Sequence, residues 1–147
     1  YFMNVYSVVQ GLAKNLDNVS DPVFSKRMLG DGVAVEPSNS RIFSPVDGKI
    51  IMFFETKHAL GIRAEDGAEL LLHIGIDTVE LNGKPFKERV KIGDSVSRGD
   101  LLLEVDFPMI KKSGYDTTVM LIATNRKIQL IKDTGQISIY EPVFRLL

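Results

Sequence analysis

No stretch of this chain repeats its apolar residues at helical spacing for more than a couple of turns. Short apolar or β-branched runs take their place: Gly32 to Val35, Ile50 to Phe54, Leu70 to Ile76, Leu101 to Val105 and Thr117 to Thr124. Turn residues separate them, among them Pro37-Ser38-Asn39-Ser40, Pro45-Val46-Asp47-Gly48, Asp66-Gly67, Asn82-Gly83 and Gly135. A turn signal about every ten residues and no long amphipathic helix specify an antiparallel β-sandwich or barrel. One or two short helical turns interrupt it. Asp21-Pro22 opens one that Gly30 closes, and Asp106-Phe107-Pro108 opens another that Gly114 closes.

A length of 147 residues suits one domain over residues 1–147, large enough for a real core. A formal net charge of −1 gives no footprint for nucleic acid or a charged membrane surface. There is no cysteine, so disulfides, thiolate metal sites and thiol nucleophiles are excluded. No apolar run approaches the length of a membrane span. These features fit a cytoplasmic protein.

The chain has two histidines, His58 and His73, on either side of Ala64-Glu65-Asp66-Gly67. An Asp-Gly pair between apolar runs is a hairpin signal. A four-residue loop there places His58 directly opposite His73, with Cβ atoms roughly 5 Å apart. A two-residue turn at Asp66-Gly67 places them diagonally on the same face. Alternation then groups Met52, Phe54, Thr56, His58 and Leu60 on one side of the first strand. It groups Leu71, His73, Gly75 and Asp77 on that side of the second, with Leu70, Leu72, Ile74 and Ile76 turned to the core. The histidine side is expected to be the outer one.

Neither a phosphate-binding glycine loop nor a Gly-x-Ser-x-Gly elbow is present. Asp77 could complete a three-ligand zinc site with the histidines, but it lies four residues beyond His73, and no His-x-His or His-Glu-x-x-His motif occurs. A histidine nucleophile fits better, because neutral imidazole is available near pH 7. Phosphoryl transfer needs an in-line nucleophile, donors for the phosphoryl oxygens and a dry site. One imidazole could attack while the other and the Thr56 hydroxyl donate. Gly75 would let backbone N–H groups approach.

Four segments carry a resemblance: Gly30-Asp31-Gly32-Val33-Ala34-Val35-Glu36-Pro37, Ser44-Pro45-Val46-Asp47-Gly48, Thr56-Lys57-His58-Ala59-Leu60-Gly61-Ile62 and Leu71-Leu72-His73-Ile74-Gly75-Ile76-Asp77-Thr78-Val79. In this order they resemble the glucose-type IIA domain of the bacterial phosphoenolpyruvate-dependent sugar phosphotransferase system. The resemblance implies a β-sandwich without a cofactor. It implies His73 as phosphoacceptor, His58 as the second active-site histidine and Thr56 as its hydrogen-bonding partner. Phe24, Met28, Leu29, Phe54, Leu71 and Val79 fall where the family has its apolar docking surface. Asp21 and Asp77 match carboxylates that face basic partners. The implied donor is the phosphocarrier protein HPr and the implied acceptor is the cysteine of a IIB domain, with a membrane IIC permease as a possible tether.

Some family members regulate permeases and metabolic enzymes by docking alone, and there the histidine pair can share a zinc ion with a partner. A biotinyl- or lipoyl-type carrier is the other reading of Ser44-Pro45-Val46-Asp47-Gly48-Lys49, but no Met-Lys-Met or Asp-Lys-Ala attachment lysine occurs.

Overall fold

The structure, a computed structural model, describes residues 3–147. Its strands are Met3–Tyr6 (β1), Gly11–Lys14 (β2), Asp31–Pro37 (β3), Arg41–Phe43 (β4), Gly48–Phe53 (β5), Ala59–Ala64 (β6) and Glu69–Ile74 (β7). Phe86–Glu88 (β8), Ser95–Val96 (β9), Leu101–Val105 (β10), Val119–Ala123 (β11), Ile128–Leu130 (β12), Gly135–Ile137 (β13) and Pro142–Leu146 (β14) follow. Two short helices, Pro22–Ser25 (α1) and Phe107–Lys112 (α2), and 3-10 turns at Leu16–Asn18 and Thr78–Leu81 complete the chain. Both helices start as their sequences specify. The Asp21 carboxylate accepts the Val23 amide at 2.9 Å and Asp106 accepts that of Met109 at 3.1 Å, each with proline in the first turn.

The strands pair antiparallel throughout. One eight-stranded sheet runs β13-β2-β3-β11-β7-β6-β5-β9, and two three-stranded sheets run β1-β14-β12 and β4-β10-β8. This is the expected antiparallel β-sandwich. Alternation along β7 turns Leu70, Leu72 and Ile74 into the main core, beside Leu60 and Ile62 of β6 and Val119 and Leu121 of β11. Each such side chain contributes about 1.5–3 kcal/mol of burial.

The other face of the same sheet is also partly covered. Ala34, Met120 and Ile122 form a second, smaller core there with Leu16, Val19, Phe24 and Ile76. The chain therefore lays its own segment 16–24 over the outer side of β3 and β11. That explains why every residue of β11 is buried.

Two elements differ from the sequence expectation. Leu12 to Val19 reads as a polar connection, yet β2 pairs with β3 from Gly11↔Pro37 to Lys14↔Ala34. Four residues including Ala and Lys carry little strand preference of their own, and the ladder of β3 imposes the conformation.

The histidine hairpin also closes in another register. Arg63 pairs with Glu69 and Ala59 with His73, leaving five residues, Ala64 to Ala68, in the link rather than four or two. Simple alternation in that register would put His58 on the face opposite to His73. The chain avoids this by ending β5 at Phe53 and turning through Phe54 to His58. The Lys57 amide donates to Phe54 O at 2.8 Å, and Lys57 takes a positive φ of 62°. Thr56 and His58 thus belong to a turn, and Leu60, expected beside them, points into the main core.

Candidate active site

His73 lies on the outer face of β7, between β11 and β6. Its neighbours across the ladders are Met120 and Ala59. His58 arrives from the β5–β6 turn, and its carbonyl accepts the Ile74 amide at 2.8 Å, extending the β6–β7 ladder by one bond. The two rings stand 5.1 Å apart, nearly perpendicular. The sequence expectation that they share one patch holds, although the turn rather than strand alternation brings them together.

Aromatic rings flank the pair. Phe24 packs on His73 at 5.0 Å between centroids, and Phe54 meets His58 edge-on at 5.2 Å. His58 is only 4% exposed, so it is less open than an outer-face position suggests. Phe24, expected on a docking surface, is also 4% exposed and is the floor under His73. Leu71 is partly buried against the same small core. Met28, Leu29, Phe54 and Val79 are exposed.

The hydrogen bonds fix one tautomer. His73 Nδ1 lies 2.9 Å from Gly75 O. A carbonyl can only accept, so Nδ1 carries the proton and Nε2 keeps its lone pair. The Thr56 hydroxyl and His58 Nδ1 share a hydrogen bond of 2.8 Å. Gly75 works differently from the expectation. Its amide donates to Thr118 O at 2.8 Å and so is not available to a phosphoryl group. Its φ of +73° aims the carbonyl at His73, and a Cβ there would lie 2.4 Å from Thr78 Cγ2. Thr78, wholly buried, donates its hydroxyl to Ile74 O. Sequence reasoning missed Thr78, Asp116 and Thr118, because their signal is a backbone partner distant in the chain.

Burial pushes His73 down from 6.5 to about 4, with the nearby His58 acting the same way. The Gly75 bond and the carboxylates of Asp21 and Asp77 oppose this. Burial also lowers His58. Both rings are therefore neutral at pH 7, and His73 Nε2 keeps a desolvated lone pair. Among the described residues, no group of three or more His, Cys, Asp or Glu gathers as a metal would need. No helix there is long and apolar enough to cross a membrane.

Comparison with known proteins gives the family. Residues 3–128 match the model of the family described as phosphoenolpyruvate-dependent sugar phosphotransferase system, EIIA 1. A PTS system glucose-specific EIICBA component of Streptococcus pneumoniae is 50% identical over 121 residues, which cover 82% of this chain and 17% of that protein. A PTS system glucose-specific EIIA component of Bacillus cereus is 41% identical over 121 residues, 82% of this chain and 73% of that protein. The solved structure of glucose permease IIA from Mycoplasma capricolum superposes with a TM-score of 0.94 at 36% identity, covering 99% of this chain and 96% of that one. With the matched region spanning both histidines, the chain belongs to the EIIA 1 family of the phosphoenolpyruvate-dependent sugar phosphotransferase system.

Proposed function

We propose that the chain is a phosphocarrier, in which His73 accepts a phosphoryl group from one protein and passes it to another. The observation that carries the reading is the His73 ring, neutral and fixed by Gly75 O with its Nε2 lone pair free. In the accepting step, that lone pair forms a bond to phosphorus. The P–N bond of the donor's phosphohistidine breaks, and its electron pair returns to the donor imidazole. HPr is the donor that the family implies. In the delivering step, the thiolate of a IIB cysteine takes the phosphorus and His73 Nε2 recovers its pair.

His58 supports the phosphoryl group and is not the acceptor. With Thr56 donating to Nδ1, the His58 Nε2–H faces the phosphoryl oxygens and holds them in line. The exposed Met28, Leu29, Phe54 and Val79 form the rim that excludes water when a partner docks. Asp21 and Asp77 meet basic groups of that partner. The Streptococcus pneumoniae relative, named an EIICBA component, supports delivery to a IIB unit and tethering to a permease.

Mixing the protein with phosphoenolpyruvate, enzyme I and HPr is expected to add one acid-labile phosphate, which His73→Ala abolishes. Undiminished phosphate on that variant overturns the assignment. His58→Ala is expected to accept phosphate but deliver it poorly. A His58→Ala protein that cannot be charged at all contradicts the division of roles.

A further inference from the structure

The peptide unit between Gly75 and Ile76 is bonded at both ends. Its carbonyl accepts from His73 Nδ1 at 2.9 Å. Its amide, that of Ile76, donates to Asp116 O at 3.1 Å. A trans peptide is planar with C=O and N–H pointing in opposite directions, so fixing one end fixes the other. The preceding amide, of Gly75, donates to Thr118 O at 2.8 Å. Asp116 O therefore sets the plane that presents Gly75 O to the ring, and Thr118 O fixes the peptide before it, both from one short segment.

That segment is itself braced by side chains. Asp116 Oδ1 accepts the Thr118 amide at 2.8 Å and lies 2.7 Å from the Thr118 hydroxyl. The hydroxyl, wholly buried, also lies 2.7 Å from Glu36 Oε1. It has one hydrogen for two carboxylates, and each carboxylate has another donor. Lys14 Nζ reaches the same Glu36 oxygen at 2.7 Å, and Ser20 Oγ lies 3.4 Å from Asp116 Oδ2. Burial acts to raise the Asp116 carboxyl, but the Thr118 hydroxyl and amide, with Lys14 and Ser20, outweigh it and hold the group below its usual value.

The bracing matters because a peptide next to glycine can flip cheaply. A flipped Gly75–Ile76 peptide would turn its N–H toward His73. Nδ1 would then have to accept, and the proton would move to Nε2, where it blocks the nucleophile. We infer that Asp116 and Thr118 are positioning residues that decide which nitrogen of His73 holds the proton, by keeping the Gly75–Ile76 peptide from flipping. This rests on the reading of His73 as phosphoacceptor, but the proton's place can be measured without any transfer.

The experiment uses protein carrying ¹⁵N in its histidine rings. Two-bond ¹H–¹⁵N correlation spectra at pH 7 separate the two neutral tautomers. The unaltered protein is expected to show His73 wholly as Nδ1–H. Asp116→Ala and Thr118→Val are expected to show a mixture of tautomers, with phosphate acceptance from phospho-HPr slowed about tenfold, the worth of one hydrogen bond, and the KM for phospho-HPr unchanged. Thr118→Ser, which keeps the hydroxyl, is expected to restore both.

Val143→Ala, on β14 in a different sheet from His73, controls for general destabilisation and is expected to leave the tautomer alone. Asp116→Asn, which keeps an acceptor for the Thr118 amide, gives the same comparison if Asp116→Ala does not fold, and a smaller Nε2–H fraction is expected. An unmixed Nδ1–H signal in the folded Asp116 and Thr118 variants overturns the inference. A protein that takes no phosphate on His73 overturns the functional reading instead, and the spectra still decide the positioning role.

Discussion

Acidification should destabilise this protein through His73 well before its carboxylates protonate. In the unfolded chain the ring titrates near 6.5, whereas in the fold burial holds it at about 4. Between those values the unfolded state binds a proton that the native state refuses. Stability therefore rises with pH across the window and is lost as pH falls through it. At 1.36 kcal/mol per pH unit, the loss from this one ring is about 2 kcal/mol by pH 5 and about 3 kcal/mol by pH 4. The His58 ring, also lowered by burial, adds to the loss in the same direction. The Asp116 carboxyl, held below its usual value, adds its loss only at still lower pH.

Urea denaturation at pH 7, 6, 5 and 4.5 measures this directly in the unaltered protein and in His73→Gln. Absolute stabilities will differ, because glutamine loses the contact with Phe24. The informative quantity is the difference in pH dependence at constant m-value. The unaltered protein is expected to lose about 2 kcal/mol more than His73→Gln between pH 7 and pH 5. Parallel curves for the two proteins would refute a neutral, desolvated His73 and remove the basis for calling it a ready nucleophile.

Three further outcomes are expected. Gly75→Ala places a Cβ 2.4 Å from Thr78 Cγ2 and 2.8 Å from Asp116 O at a left-handed φ. A loss of about 3 kcal/mol in unfolding free energy, measured by urea denaturation, is expected from backbone strain and overpacking together. Thr56→Val removes the partner of His58 Nδ1, so delivery of labelled phosphate to a IIB domain should slow about tenfold while charging by HPr changes little. Met28→Asp, at a side chain 68% exposed, should leave stability within about 0.5 kcal/mol yet raise the KM for phospho-HPr severalfold in a steady-state transfer assay.

Much of this was legible because turn chemistry and side-chain alternation are local. Pro22 and Pro108 mark both helix starts, and the Leu70-Leu72-Ile74 stripe marks the buried face of β7. The pairing of His58 with His73 was legible only in outcome. Its route depends on Lys57 adopting a positive φ and on a five-residue link, and nothing in Thr56-Lys57-His58 announces either. Phe24 illustrates the other limit. An apolar residue in a short helix reads the same whether it greets a partner or lines a small core, and the segment 16–24 folding over β11 decides the matter. Asp116 and Thr118 reach His73 through backbone carbonyls, and their side chains hold that segment by bonding each other and the distant Glu36, so no local side-chain pattern points to them.

β7 is laddered on both edges, five residue pairs to β11 and five to β6. Opening the strand beside His73 means tearing two seams at once, so hydrogen exchange there should be among the slowest in the molecule. A phosphate handed between proteins demands that somebody adjust. With His73 read as the phosphoacceptor, its strand is held on both sides, and a docking protein is expected to conform to it.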